Sequence, residues 1–318
     1  MTEFRWGILG AGHIAGKWAS DLAHVPGAKL QAVWARDPAK TRVFQAEHGA
    51  TRAAADLADL LGRGDLDAVY VASPHGLHHD HVMVCLEAGI PVLCEKAFTL
   101  TALEARELID RAKARRVFLM EALWTGFLPG FRSALALAKS GKMGALLSVE
   151  ADFGFSAPFA PDRRLWDPAM GGGSLLDIGL YPLFFALSFL GKVERFESRL
   201  EIAQNGVDHS FQGAFWHADG GRSSCQSTFQ LQTPCEARIR LEAGEIFFPR
   251  MFHTPVDVQV LREGKLEILS GTASGNGYQF ETVHVQECVR AGLLESPIRP
   301  LSDTLELMEL LDSIREAP

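Results

Sequence analysis

The sequence predicts an α/β protein in two parts: an N-terminal Rossmann-type, doubly wound parallel sheet, then an α+β domain with a large, mostly antiparallel sheet. Three observations predict it. Short apolar runs alternate with helical patterns from Phe4 to Met120, and a glycine-rich turn, Gly10-Ala11-Gly12-His13-Ile14-Ala15, joins the first strand to the first helix. After Glu121, strand-like runs succeed one another across short turns, the pattern of antiparallel pairing.

The elements follow in order. Phe4 to Leu9 is a buried strand, and residues 14–25 recur with helical spacing until Pro26-Gly27 breaks them. Residues 30–35 form the second strand, and Arg36-Asp37-Pro38 turns into a helix reaching His48. Residues 68–72, 91–94 and 117–120 supply further buried strands, with helices between them, and Thr101-Ala102-Leu103-Glu104 is a capping box. Beyond it come a helix at 128–139, a strand at 146–155, an apolar helix at 180–190, and strands at 193–202, 222–231, 236–241, 256–261 and 266–269. Ser302-Asp303-Thr304 is expected to cap a last amphipathic helix. The expected domains are 1–121, for a dinucleotide, and 122–318, for substrate and self-association; the last helix, 302–316, is free to pack back on the first.

Composition narrows the function. The 318 residues suit two domains, and 47% hydrophobic with 22% charged residues excludes wholesale disorder. A net charge of −8 denies the chain the positive field that gathers nucleic acid or anionic lipid, so neither nucleic acid nor membrane is an expected partner. The apolar run at 180–190 falls short of the ~20 residues that span a bilayer. Five cysteines without a Cys-x-x-Cys pair, and a strand beginning by Phe4, give the expectation of a cytoplasmic protein.

The glycine turn fits G-x-G-x-x-G/A: Gly10 for the tight turn, Gly12 for approach of a pyrophosphate, Ala15 for packing of helix on strand. At the end of the second strand, where an acid would select NAD, stands Ala35 followed by Arg36. An arginine fork suits a 2′-phosphate, with Thr41 and Arg42 as candidate helpers, so NADP is the expected cofactor; NAD remains possible if Asp37 reaches the ribose. Glu95-Lys96-Ala97 follows a parallel strand at its ligand-binding end. Gly171-Gly172-Gly173-Ser174-Leu175-Leu176-Asp177-Ile178-Gly179-Leu180-Tyr181 sets an acid and a phenol four residues apart, one turn of an α-helix.

The N-terminal glycine turn, the Glu-Lys element and the Gly-Gly-Gly-x-Leu-x-Asp-x-Gly-x-Tyr element resemble the Gfo/Idh/MocA oxidoreductases, NAD(P)-dependent enzymes acting mostly on sugars and cyclic polyols. Tyr181 in place of the usual histidine, 92–96, 118–125 and Phe280-Glu281 look most like the dimeric dihydrodiol dehydrogenase and D-xylose 1-dehydrogenase subgroup. The resemblance implies that Lys96 and Tyr181 carry catalysis and Asp177 orients, while Trp124, Phe153 and Phe280 line the substrate pocket. It also implies that Gly10, Gly12, His13, Ile14, Arg36, Ser73, His75, His78, Glu95, Lys96 and Trp166 meet the cofactor. The implied substrate is a sugar-like or cyclic diol molecule, and the implied assembly is a homodimer or dimer of dimers through the outer face of the second sheet.

Tyrosine is a poor base at neutral pH, and a nearby ammonium favours its phenolate, so a Lys and a Tyr together suit alcohol oxidation. Ala97 replaces the family proline, which predicts a trans Lys96–Ala97 bond, and Gly126 predicts a roomier pocket. The run His75-Gly76-Leu77-His78-His79-Asp80-His81 suggests zinc, but its place between a strand end and a helix gives the reading of no metal. The alternatives are an anhydrofructose-type keto-sugar reductase and a non-catalytic dinucleotide-binding regulator, the second disfavoured by the presence of both Lys96 and Tyr181.

Overall fold

A computed structural model describes residues 2–317, which divide into two units: residues up to 124 with 273–308, and 125–272 with those from 309 on. The first unit opens with β1 (Phe4–Leu9), α1 (His13–Asp21), β2 (Ala28–Trp34), α2 (Pro38–His48), β3 (Arg52–Ala53) and α3 (Leu57–Leu61). It continues through β4 (Ala68–Val71), α4 (His78–Glu87), β5 (Val92–Glu95), α5 (Ala102–Arg115) and β6 (Leu119–Ala122). All six strands pair in parallel in the order β3-β2-β1-β4-β5-β6, so the strand order reverses between β1 and β4. Such a switch point leaves a crevice at the carboxyl ends of the strands. β4, β5 and β6 are buried along their whole length, which is why they read as continuous apolar runs.

The second unit contains α6 (Pro129–Lys139), β7 (Leu146–Gly154), α7 (Leu180–Leu190), β8 (Val193–Ile202), β9 (Asp208–His217), β10 (Arg222–Thr228), β11 (Ala237–Leu241), β12 (Gly244–Phe248), β13 (Val258–Arg262) and β14 (Lys265–Leu269). Its eight strands lie in the order β14-β13-β12-β11-β7-β10-β9-β8, antiparallel except for β7 with β10. α7 packs on β7, β10 and β11, and Phe185 meets Phe131, Phe248 and Phe252 with centroids 4.8–5.0 Å apart. With the short helical turns before it, α7 forms a run over 168–190 long and apolar enough to cross a membrane, though most of it is buried inside the protein.

Three expectations are corrected. The domain boundary lies after 124 rather than 121, and 273–308 returns to the first unit. The cause is α8 (Tyr278–Arg290), absent from the sequence reading: it lies against α1, whose Asp21 carboxylate accepts the backbone N–H groups of Asn276 and Tyr278 at 2.9 Å. The last helix, α9 (Leu301–Glu316), starts before Ser302, so Ser302 to Thr304 lie in its first turn rather than capping it. It is shared between the units, the part to Met308 with the first and the remainder with the second. Three strands, the two-residue β3 and the longer β9 and β12, lie where none was expected.

Candidate active site

The crevice between β1 and β4 is a cavity of about 540 Å³ lined by Gly10, Gly12, Arg36, Lys40, Ser73 and His81, among others. Gly10 has φ +112°, and an added Cβ would sit 2.6 Å from the Ala72 carbonyl, so only glycine turns the chain here. At Gly12 the place a Cβ would take is open, with no atom within 4 Å, and it lies on the cavity wall. Gly12 also precedes the first turn of α1, whose amides face an incoming anion. A dinucleotide therefore fits these residues: a bare backbone for the pyrophosphate, two cations, and one carboxylate that is already engaged. That carboxylate is Asp37, whose Oδ1 caps α2 by accepting the N–H groups of Ala39 and Lys40 at 2.8 and 3.3 Å.

Lys40 lines this cavity and was not singled out from the sequence; Thr41 was, but its hydroxyl is spent on the carbonyls of Ala35 and Asp37. The signal for Lys40 was Asp37 as helix cap, which fixes where the first turn points. Trp34 and His81 line the same cavity edge to face, with centroids 6.0 Å apart, and His81 Nδ1 meets the Ser73 hydroxyl at 2.9 Å. His13 and Ile14, also assigned to the cofactor, stand in the first turn of α1, His13 exposed and Ile14 half-buried.

Lys96 follows β5 at the same end of the sheet. The Lys96–Ala97 bond is cis, against the expectation of trans; Ala97 and Phe98 are buried and the Ala97 carbonyl is bonded to His78, so the surroundings rather than the residue type set the isomer. His78 is wholly buried, its Nδ1 2.8 Å from the Ala97 carbonyl and its Nε2 2.7 Å from the Ser73 carbonyl. Burial holds it down to about 4, so at neutral pH it carries one N–H and donates to one carbonyl at a time. It ties the Lys96 turn to the end of β4. His75, 5% exposed, lies 5.6 Å from it, centroid to centroid. His79 is spread between Asp80 and Glu107, and among the described residues no three His, Cys, Asp or Glu side chains converge on a metal position.

Glu95 turns inward: it is 4% exposed and accepts the Tyr70 hydroxyl. Burial pushes it up to about 7. On the same unit, Trp124 stacks on Tyr278, centroids 4.5 Å apart and planes 16° from parallel. Tyr278, which the sequence reading did not single out, is the α8 aromatic that meets Trp124; Phe280, expected to line the substrate pocket, is half-buried two residues on.

In the second unit, residues 175–179 form a π-turn leading into α7. The segment is helical throughout, so the four residues from Asp177 to Tyr181 span about one turn, the wider π geometry giving way to α at Leu180. Asp177 is buried and paired with Arg164, Nη1 to Oδ1 3.2 Å. Tyr181 is 4% exposed and lies in an aromatic group with Phe153, centroid 5.7 Å away, and His253, 4.9 Å away; His253 stacks on Phe153 at 4.4 Å. His253 had no sequence signal, since it stands alone on a loop far from Tyr181 in the chain. Trp166, expected at the cofactor, is 2% exposed in a core cluster with Ile178, Val207 and Phe229, and its carbonyl accepts Asn205 Nδ2 at 2.6 Å.

Two family models match the chain: an oxidoreductase family with an NAD-binding Rossmann fold over residues 4–123, and a GFO/IDH/MocA C-terminal domain over 131–247. The trans-1,2-dihydrobenzene-1,2-diol dehydrogenase of Xenopus tropicalis is 32% identical over 97% of this chain and 96% of its own. That of Homo sapiens is 32% identical over 98% and 96%. Among solved structures, the 3-ketoreductase KijD10 of Actinomadura kijaniata, in complex with NADP and TDP-benzene, superposes with TM-score 0.87 at 26% identity, covering 99% of this chain and 97% of that one. The aldose-aldose oxidoreductase of Caulobacter crescentus shares the fold, with TM-score 0.90 at 22% identity over 98% and 96%.

Proposed function

Because the chain belongs to the Gfo/Idh/MocA family of oxidoreductases, we propose that it transfers a hydride between NADP and the alcohol or carbonyl carbon of a sugar-like or cyclic diol substrate, with Lys96 and Tyr181 handling the proton. The observation that carries the reading is the cavity at the β1/β4 switch point, walled by Gly10 and Gly12 and flanked by Arg36 and Lys40, with Lys96 after the neighbouring β5. NADP rather than NAD is favoured by Ala35 in the acid's place, by the two cations, and by Asp37 being occupied as a helix cap.

The nicotinamide, when bound, supplies the hydride acceptor or donor. In oxidation the Tyr181 phenolate takes the hydroxyl proton, and the Lys96 ammonium favours that phenolate over the phenol. In reduction Lys96 polarises the carbonyl and Tyr181 returns the proton to the developing alkoxide. Asp177, paired with Arg164, holds the turn before Tyr181. Trp124, Tyr278 and Phe153 offer flat apolar faces suited to sugar C–H groups or a carbocycle.

Reduction of a keto-sugar is the second reading, favoured by the likeness to a 3-ketoreductase at 26% identity. The test is nicotinamide absorbance with NADP(H) and NAD(H), in both directions, against aldoses, keto-sugars and trans cyclic diols. Turnover of at least one member, lost in Lys96→Met, is expected; no turnover anywhere in the panel, with the cofactor bound, would leave a dinucleotide-binding regulator.

A further inference from the structure

One ionisable group next to Lys96 takes no part in the proposed reaction. The Glu95 carboxyl is held from two sides: one oxygen accepts the Tyr70 hydroxyl, and the other accepts the Lys96 backbone N–H at 3.1 Å. Tyr70 is itself immobilised, fully buried and stacked on Trp18 with centroids 4.4 Å apart. The charged and titratable groups around Glu95 are Lys96 and Cys94 beside it in the chain, Tyr70 from β4, Glu121 from β6 and Glu281 from α8. Glu121 already has partners, Arg299 at 2.7 Å and the Thr304 hydroxyl at 3.0 Å. Glu281 is wholly buried, and neither of its oxygens has a hydrogen-bond partner among the described residues. A carboxyl so placed is carried as the neutral acid. Of these carboxyls, Glu95 is the one that the neighbouring Lys96 charge draws toward its ionised form.

We propose that Glu95 is a positioning residue for Lys96: its carboxylate, clamped between the Tyr70 hydroxyl and the Lys96 amide, is the counter-charge that holds the ammonium in place, and protonation of Glu95 releases it. The inference rests on the reading of Lys96 as catalytic. Burial raises the proton affinity of Glu95, and the Tyr70 hydrogen bond and the Lys96 charge both oppose the rise, which leaves it poised at about 7. Turnover is therefore high where Glu95 is ionised and falls as the pH drops through its titration.

The test titrates the carboxyl itself, by infrared difference spectra of the holoenzyme, with Glu95→Gln identifying the band. Lys96→Met and Tyr70→Phe each remove a group that favours the carboxylate, so both should move the Glu95 titration to higher pH by about half a unit or more. In Tyr70→Phe the acid limb of kcat should move with it. Glu95→Gln, which keeps the shape, should lose that limb and lower kcat about tenfold or more. A Glu95 band that titrates alike in Lys96→Met and the unaltered enzyme overturns the proposal, and so does an acid limb that survives in Glu95→Gln should Tyr70→Phe fail to fold. Full turnover in Lys96→Met would instead overturn the catalytic reading of Lys96, a result distinguishable because the band reports the pair without turnover.

Discussion

In the proposed NADP reading, Arg36 and Lys40 are the cations of the nucleotide cavity that serve the 2′-phosphate, the part that distinguishes NADP from NAD. Losing one charge-assisted contact costs about 1.5–3 kcal/mol, so Arg36→Ala should weaken NADPH binding by that amount and leave NADH nearly unchanged. Fluorescence titration of both cofactors checks it; equal affinities in the unaltered protein would remove the preference altogether. Tyr181→Phe should lower kcat about 10²–10⁴-fold while NADPH binding holds, because the hydroxyl matters only when a proton moves. The double variant with Lys96→Met should be little worse than the worse single one, since residues acting as a unit are non-additive. The glycine turn was legible in the sequence because Gly10 answers a backbone constraint that no other residue meets. His253 and Tyr278 were not, because a ring contact between distant segments leaves no local spacing to read.

Elements that bury continuous apolar runs could be read, and a helix whose buried face is largely polar could not. β4, β5 and β6 belong to the first kind. α8 belongs to the second: Gln279, Glu281, Thr282 and Gln286 are all buried, so its inward stripe is masked in hydropathy. Its Glu281 carboxyl lies well above the carboxylate range because burial penalises the charge. The unfolded chain releases that proton above the usual carboxylate range while the folded chain keeps it, so the group contributes less stability as the pH rises. Glu281→Met should therefore stabilise the fold by about 1–3 kcal/mol, with a larger gain at pH 8 than at pH 5 in urea melts. The turn before Tyr181 depends on a different constraint. Gly173 has φ +126°, and a Cβ there would run into the Asp208 carboxylate that accepts the Leu175 N–H at 2.7 Å and the Ser174 hydroxyl at 3.0 Å. Gly173→Ala should cost about 1–3 kcal/mol and reduce turnover more than cofactor affinity.

For the whole molecule, we propose a homodimer through the face of the large sheet that α7 leaves uncovered. That face is polar: Glu150, Ser224, Gln226, Arg238 and Phe247 line a groove on it, and Arg240 lies 3.3 Å from Glu150 and 3.7 Å from Glu245. Light scattering should return twice the 34.8 kDa chain mass at micromolar concentration and less in high salt, because charged contacts are screened. The two-domain plan was legible from the change of strand grammar after Glu121, but its interruption was not. A chain that leaves its first unit at 124 and returns at 273 cannot finish that unit in order of synthesis. When the ribosome has made the six parallel strands, Asp21 still lacks the amides of Asn276 and Tyr278, and buried Glu121 still lacks Arg299. The nascent nucleotide-binding half must wait, incomplete and open to chaperones or proteases, until most of the message has been translated, and a fragment ending at 124 should remain unfolded by circular dichroism.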